Sequence, residues 1–263
     1  MRLAVILPAA GASSRYTAAG GLRSKVDEDL GGRPVLQRTV EMFTNRTETE
    51  VVIVAGPHES WDEFVMRHGD KLGLLGVKLC RGGESHRYET VKNALALVPE
   101  GCTHVAVHDA ARPCTPPEVI DRVLAAAEKH AAVIPAVDVP DTVKRASERP
   151  VEDADIDPLA AILGGAGKAN RSIRTVVRTE SREHLVLVQT PQVYTRELIF
   201  RMYAQKDLSS TDDASLAERL GEPVAIVEGD PRNIKITRPG DLSLARLILQ
   251  VRPPSEREAH KRF

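Results

Sequence analysis

A chain of 263 residues with 42% hydrophobic and 28% charged residues can bury a sizeable core, and these proportions exclude a disordered or membrane-embedded protein. Its 36 Lys and Arg against 37 Asp and Glu leave a formal charge of -1, so no overall basic field draws it to nucleic acid or anionic lipid, and any anion site must be local. Cys80, Cys102 and Cys114 lack CxxC spacing, which argues against a zinc motif or disulfide framework and suits a reducing compartment such as the cytoplasm.

The apolar run 3–7 is too short for the hydrophobic region of a signal peptide, and Gly11 follows where a buried first strand would turn. No later apolar run is long enough to cross a bilayer. Strands are expected at 3–7, 51–55, 77–80, 104–108, 132–136 and 224–228, with helices at 34–45, 61–71, 88–98 and 117–130 between them. This alternation predicts βαβ units and a doubly wound, mainly parallel sheet flanked by helices. Thr115-Pro116-Pro117-Glu118 reads as a helix start, with a threonine able to cap, a proline for the first turn and a glutamate to close a capping box. The alternation breaks over about 139–189. There β-like pieces at 142–145 and 173–178 flank a polar, Gly/Ala-containing stretch at 148–170, which predicts an arm inserted into a single domain, 1–252. Helices return at 196–205, 212–220 and 241–250, and the charged tail 253–263 is expected to be disordered.

Four segments carry candidate chemistry. The first strand runs into Pro8-Ala9-Ala10-Gly11-Ala12-Ser13-Ser14-Arg15, small residues that let backbone N–H groups approach phosphates, followed by a cation; read alone, it is equally a tight turn with a solvated arginine. Lys25 lies beyond Ala18-Ala19-Gly20-Gly21, a stretch able to close over a triphosphate, although a lone exposed lysine is ordinarily just solvated. Gly82-Gly83-Glu84-Ser85-His86-Arg87-Tyr88-Glu89-Thr90-Val91 could read a base edge or be a plain turn into a helix. His108-Asp109-Ala110-Ala111-Arg112-Pro113 follows a central strand at the sheet edge where open α/β proteins bind ligands. Asp109 suits Mg²⁺ shared with phosphates or a loop-stabilising turn, Arg112 suits an anionic group, and His108 reads as structural.

In order along the chain stand Pro8-Ala9-Ala10-Gly11, Lys25, Gly82-Gly83 with Arg87 and Thr90-Val91, residues 108–113, Asp141-Thr142-Val143-Lys144, Thr190-Pro191-Gln192, Thr211-Asp212-Asp213-Ala214-Ser215 and Asn233-Ile234-Lys235-Ile236-Thr237. This ordered set resembles the 2-C-methyl-D-erythritol 4-phosphate cytidylyltransferases. The resemblance implies a Rossmann-like nucleotide-diphospho-sugar transferase fold with a protruding β-arm, and transfer of CMP from CTP to 2-C-methyl-D-erythritol 4-phosphate with release of pyrophosphate, a step of non-mevalonate isoprenoid biosynthesis. By it, Arg15, Lys25 and Lys235 would be catalytic, gripping and neutralising phosphates. Ala9, Ala10, Gly11, Gly83, Thr90 and Ala110 would hold the nucleotide, and Asp109 would lie beside Mg²⁺. Arg112, Thr142, Arg182 and Thr190 would bind the acceptor, with Arg182 preferred to Arg178 on its spacing to Thr190-Pro191-Gln192. The resemblance further implies a homodimer formed through the arm.

The chain departs from that pattern at Ser24, where the family usually has proline, in a longer loop between Arg15 and Lys25, at Val186 in place of a tryptophan, and in the stretch 148–170. Two alternatives share much of the motif set: a ribitol 5-phosphate cytidylyltransferase, and a nucleotide-binding module without catalysis. A dinucleotide oxidoreductase is disfavoured because its glycine fingerprint is missing.

Overall fold

The computed structural model describes residues 1–148 and 173–252. It divides into two compact units, one made of Met1–Val137 and Val188–Phe263 and the other of Asp138–Leu187. The second occupies the stretch where the regular alternation of strands and helices breaks. Most of the stretch 148–170, and the whole tail 253–263, lie outside the described residues.

The strands are β1 (Leu3–Pro8), β2 (Thr49–Gly56), β3 (Lys78–Arg81), β4 (His104–Val107), β5 (Ala132–Asp138), β6 (Lys144–Ala146), β7 (Val176–Thr179), β8 (Val186–Val188), β9 (Gln192–Thr195) and β10 (Ala225–Glu228). In the first unit the sheet runs in the order β10-β5-β9-β4-β1-β2-β3. Parallel pairs join β1 to β2 and β4, β2 to β3, and β5 to β10, whereas β9 runs antiparallel between β4 and β5. In the second unit β6 and β7 form an antiparallel ribbon.

Helices α1 (Ser14–Ala18), α2 (Val35–Thr44), α3 (Trp61–Leu74), α4 (Arg87–Leu95), α5 (Pro117–Ala127), α6 (Arg196–Tyr203), α7 (Ala214–Arg219) and α8 (Pro239–Ile248) belong to the first unit. One core joins Leu3, Val5 and Leu7 of β1 to α2, α3 and α5; the other joins Ala4 and Ile6 to α4, α6 and α7. Because both faces of β1 are covered, its sequence is a continuous apolar run rather than an alternating one. In α5 the buried Val119, Ile120, Val123, Leu124 and Ala127 make one stripe at helical spacing. A smaller cluster seats α8 through Leu242 and Ala245 against Leu30, Val35, Cys114 and Ile236.

The expected strands and helices are present, with ends shifted by a few residues; β8 is additional, and three further local features differ from expectation. The antiparallel β9 carries no readable pattern, because it is four residues long and Val193 and Tyr194 are both fully buried. The five-residue α1 is likewise too short to carry helical periodicity. Thr115 does not cap α5: Pro116 stands at the cap without a side-chain bond, and the Thr115 hydroxyl instead donates to Asn233 Oδ1 at 2.8 Å.

Candidate active site

Loops leaving the carboxyl ends of β1, β3 and β4 meet around a cavity of about 280 Å³, at the edge where ligands bind in sheets of this kind. Its wall contains Ala9, Ala10, Gly11 and Ala12 from the first loop, Gly83 from the second and Thr90 from α4 that follows it, Asp109 and Ala110 from the third, and Lys25 and Lys235 from elsewhere in the first unit. The N–H of Ala9 is used by the sheet, bonding Ala55 O at 2.8 Å. Those of Ala10, Gly11 and Ala12 have no protein partner among the described residues, so they remain available to an anion.

The first two loops are pressed together. A Cβ added at Gly82 would stand 2.7 Å from both Ala10 Cβ and Gly56 O, so glycine is needed there for the approach. Thr90 serves this wall from within: its hydroxyl accepts the N–H of Gly83 at 3.1 Å. The Gly83 N–H is therefore engaged by the protein itself, and Glu89 fixes the turn by accepting from Ser85 N and His86 N at 3.0 and 3.1 Å.

Asp109 is the electrostatic centre. Its Oδ2 lies 2.9 Å from Lys235 Nζ and 3.0 Å from Arg112 Nε, while Oδ1 has no partner among the described residues. Burial alone would raise its pKa, but Lys235, Arg112 and Arg87 outweigh that and hold the carboxyl well below the usual carboxylate range. The pKa of Lys25 is lowered too, by burial first and then by Lys235, Arg15 and Arg112 with Asp109 opposing, so for this cation it is the charged form that is disfavoured. An arriving polyphosphate would relieve this repulsion among cations, which is a source of affinity.

Beneath Asp109 lies a closed polar network. His108 Nε2 faces Arg112 O at 3.2 Å and so carries the proton, which leaves Nδ1 to accept from Thr190 Oγ1 at 3.0 Å. Thr190 in turn accepts the N–H of Asp109 at 3.1 Å, and Asn233 donates to Thr190 O at 2.9 Å while its own O accepts from Arg112 at 2.7 Å. His108 is fully buried, and burial pushes its pKa down to about 4 from the ordinary 6.5. An unfolded chain therefore binds more protons between these values, so stability falls as pH drops from about 6.5 towards 4. Replacing His108 with asparagine should flatten that slope in urea titrations across the window. An unchanged slope would assign the acid sensitivity to other groups.

Of the residues singled out in the sequence, Ala9, Ala10, Gly11, Lys25, Gly83, Thr90, Asp109, Ala110 and Lys235 line one cavity. Arg15 is exposed on α1 and lies outside that lining, with no ion-pair partner among the described residues. Arg112 and Thr190 stand just behind the wall, holding Asp109. Thr142 and Arg182 belong to the second unit, where Arg182 donates to the carbonyl of Pro140. The residue whose part sequence reasoning missed is Arg87. It lines the cavity while its guanidinium pairs with the buried Asp213 at 2.7 Å, and Asp213 also accepts from Tyr203. The adjacent acids Asp212-Asp213 were the available signal, since one buried aspartate demands a cation.

A doubly wound sheet whose strand-end loops turn free amides and an aspartate into one cleft that two lysines also line defines a protein that handles nucleotide phosphates, of the nucleotidyltransferase class. A family model described as 2-C-methyl-D-erythritol 4-phosphate cytidylyltransferase matches residues 3–157 and 158–251, and the chain belongs to that family. A relative of that name from Frankia casuarinae is 38% identical over 256 residues, covering 97% of this chain and 84% of its own. Another, from Symbiobacterium thermophilum, is 37% identical and covers 94% of this chain and 93% of its own. Among solved structures, the 2-C-methyl-D-erythritol 4-phosphate cytidylyltransferase from Thermus thermophilus is similar with a TM-score of 0.70 and 31% identity, over 95% of this chain and 100% of that one. The Francisella tularensis structure of the same name gives a TM-score of 0.70 at 28% identity, over 94% and 100% of the two chains. The chain is thus an enzyme of the nucleotidyltransferase type.

Proposed function

We propose that this enzyme transfers CMP from CTP to 2-C-methyl-D-erythritol 4-phosphate with release of pyrophosphate, and that Lys25, Lys235 and the amides of Ala10, Gly11 and Ala12 hold the reacting phosphates. What carries the reading is the meeting of these groups with Asp109 in one cavity of a chain of this family. An ionised acceptor phosphate is already a nucleophile, so in-line attack on the α-phosphorus needs no general base. The site's task is to bring two anions together and neutralise the charge that develops, and fixed cations do both. Arg15, an exposed residue of α1, would add charge once a triphosphate lies against the loop, and it is among the cations that lower the Lys25 pKa. Arg112 and Thr190 contribute by fixing Asp109, and Thr142 and Arg182 are assigned to the acceptor.

Mg²⁺ fits this donor set. Among the described residues no cluster of three metal-binding side chains exists, but Asp109 keeps one carboxylate oxygen free, and Mg²⁺ is characteristically held by one or two carboxylates plus substrate phosphates. Bound there, it would draw charge from the triphosphate.

The second unit exposes the apolar side chains of Val176, Val177 and Leu187 by 61%, 61% and 51%, and a second copy of the chain would cover them in the proposed homodimer. Among the described residues no helix is long and apolar enough to cross a membrane, and the reading assigns the enzyme to the cytoplasm.

The test is pyrophosphate release with CTP and Mg²⁺, offering 2-C-methyl-D-erythritol 4-phosphate and ribitol 5-phosphate separately. Release with the first alone supports the reading. Release with the second alone keeps the chemistry and changes the acceptor, and silence with both alongside CTP binding points to a module without catalysis.

A further inference from the structure

Lys25 sits at the end of a loop with little to hold it. Upstream, Thr17 to Gly20, Leu22 and Arg23 are exposed, and Leu22 is 97% so. Behind the strap formed by residues 24–28 the space is not filled: a second cavity of about 190 Å³ is bordered by Ala10, Ser24, Asp27, Ser60, Phe64 and Arg67. The cations Lys235, Arg15 and Arg112 meanwhile repel Lys25. Val26 is the strap's apolar anchor, buried in the core cluster that includes Leu36 and Phe64, and it leaves Lys25 on one side and Asp27 on the other to be fixed by other means.

Polar ties fix both. In front, Ser13 Oγ accepts the N–H of Lys25 at 3.3 Å and lies 3.2 Å from Ser24 Oγ, linking the strap to the phosphate loop. Ser13 is itself held in a left-handed conformation, φ 54, which is uncommon for serine. Behind, Asp27 Oδ1 accepts from His68 Nε2 at 2.7 Å and Oδ2 pairs with Arg67, both on α3. The side chains of Asp27 and His68 are only 7% and 3% exposed, and the His68 ring packs on Phe64 with centroids 4.9 Å apart. The carbonyls of Val26 and Glu28 accept from Leu36 N and Val35 N at the start of α2, each at 3.0 Å.

We infer that His68, through Asp27, and Ser24, through Ser13, are positioning residues that hold the Lys25 strap in its working place before nucleotide arrives. The inference rests on the proposed role of Lys25 at the phosphates and names what sustains it. A flexible lysine would have to be ordered in each catalytic cycle at a cost in rate, whereas a tied one is preorganised. Where the pattern of the family has a stiff proline, this chain holds Ser24 by a hydroxyl pair instead.

The experiment is a double-mutant cycle on turnover with saturating CTP, using His68→Asn and Ser24→Ala, each in the wild-type and in the Lys25→Ala background, with hydrogen exchange of the amides of Lys25 and Asp27 in the enzyme without nucleotide. Each tie variant should slow turnover roughly tenfold with Lys25 present, have little further effect once Lys25 is gone, and speed exchange of the strap amides. Ser24→Ala, which removes only a partly exposed hydroxyl, keeps the test open should His68→Asn fail to fold. Equal losses in both backgrounds would make these residues merely structural and overturn the inference. Wild-type turnover of the tie variants would overturn it while leaving the role of Lys25 intact, and wild-type turnover of Lys25→Ala would overturn both.

Discussion

Replacing Lys25 with alanine is expected to slow pyrophosphate release by roughly 10²–10³-fold, the usual effect of removing one preorganised charge from a site where negative charge develops. Stability should not fall with it. Burial and neighbouring cations lower the pKa of Lys25, so the charged side chain is less favourable in the folded protein than in the unfolded one. The thermal midpoint should stay put or rise slightly. A variant that melts normally yet turns over at the wild-type rate would remove Lys25 from the mechanism, and one that is unfolded would show that the strap supports the core.

Asp109→Asn should behave differently, because this carboxylate joins chemistry and stability in one group. The substitution leaves Lys235 and Arg112 without the anion they share. Breaking a fully buried pair typically costs about 3–5 kcal/mol; with Lys235 side chain 34% exposed and able to reach water, on the order of 2–3 kcal/mol is expected here. Turnover should fall by about 10²-fold or more, and the Mg²⁺ concentration giving half-maximal rate should rise, since amide oxygen is a poorer ligand than carboxylate. The pH dependence has a definite sign. A carboxyl held below its unfolded pKa of about 3.9 contributes stability that is complete above that value and is lost as pH falls through the lower folded one. Acid unfolding of the wild type should therefore show a component below about pH 4 that the asparagine variant lacks. If the variant matches the wild type in Mg²⁺ requirement, Asp109 is not beside the metal. If it also melts like the wild type, the cluster around Asp109 does not contribute to stability.

The frame of this protein is legible in the order of its residues. Apolar runs such as 3–7 and 51–55 are continuous because their strands are covered on both faces, and stripes such as that of α5 recur at helical spacing, so the alternating sheet and helix pattern follows from burial alone. Small residues after a first strand, and an acid and an arginine after a central one, likewise marked two sides of the cleft, because backbone access and hydrogen-bonding type are local properties of the residue.

Which of these groups act together depends on how the chain folds. That Lys235 and Arg112 share one oxygen of Asp109, that Thr190 reaches across from just before the strand β9 to hold its amide, and that Thr115 serves Asn233 rather than its own helix are contacts between residues far apart in the chain. The same holds for Arg87 with Asp213 and for His68 with Asp27. A side chain that looks solvated, or fit only for a cap or turn, in its own stretch of sequence acquires its role from burial beside a partner. Burial in turn is fixed by how the sheet order brings distant loops to one edge.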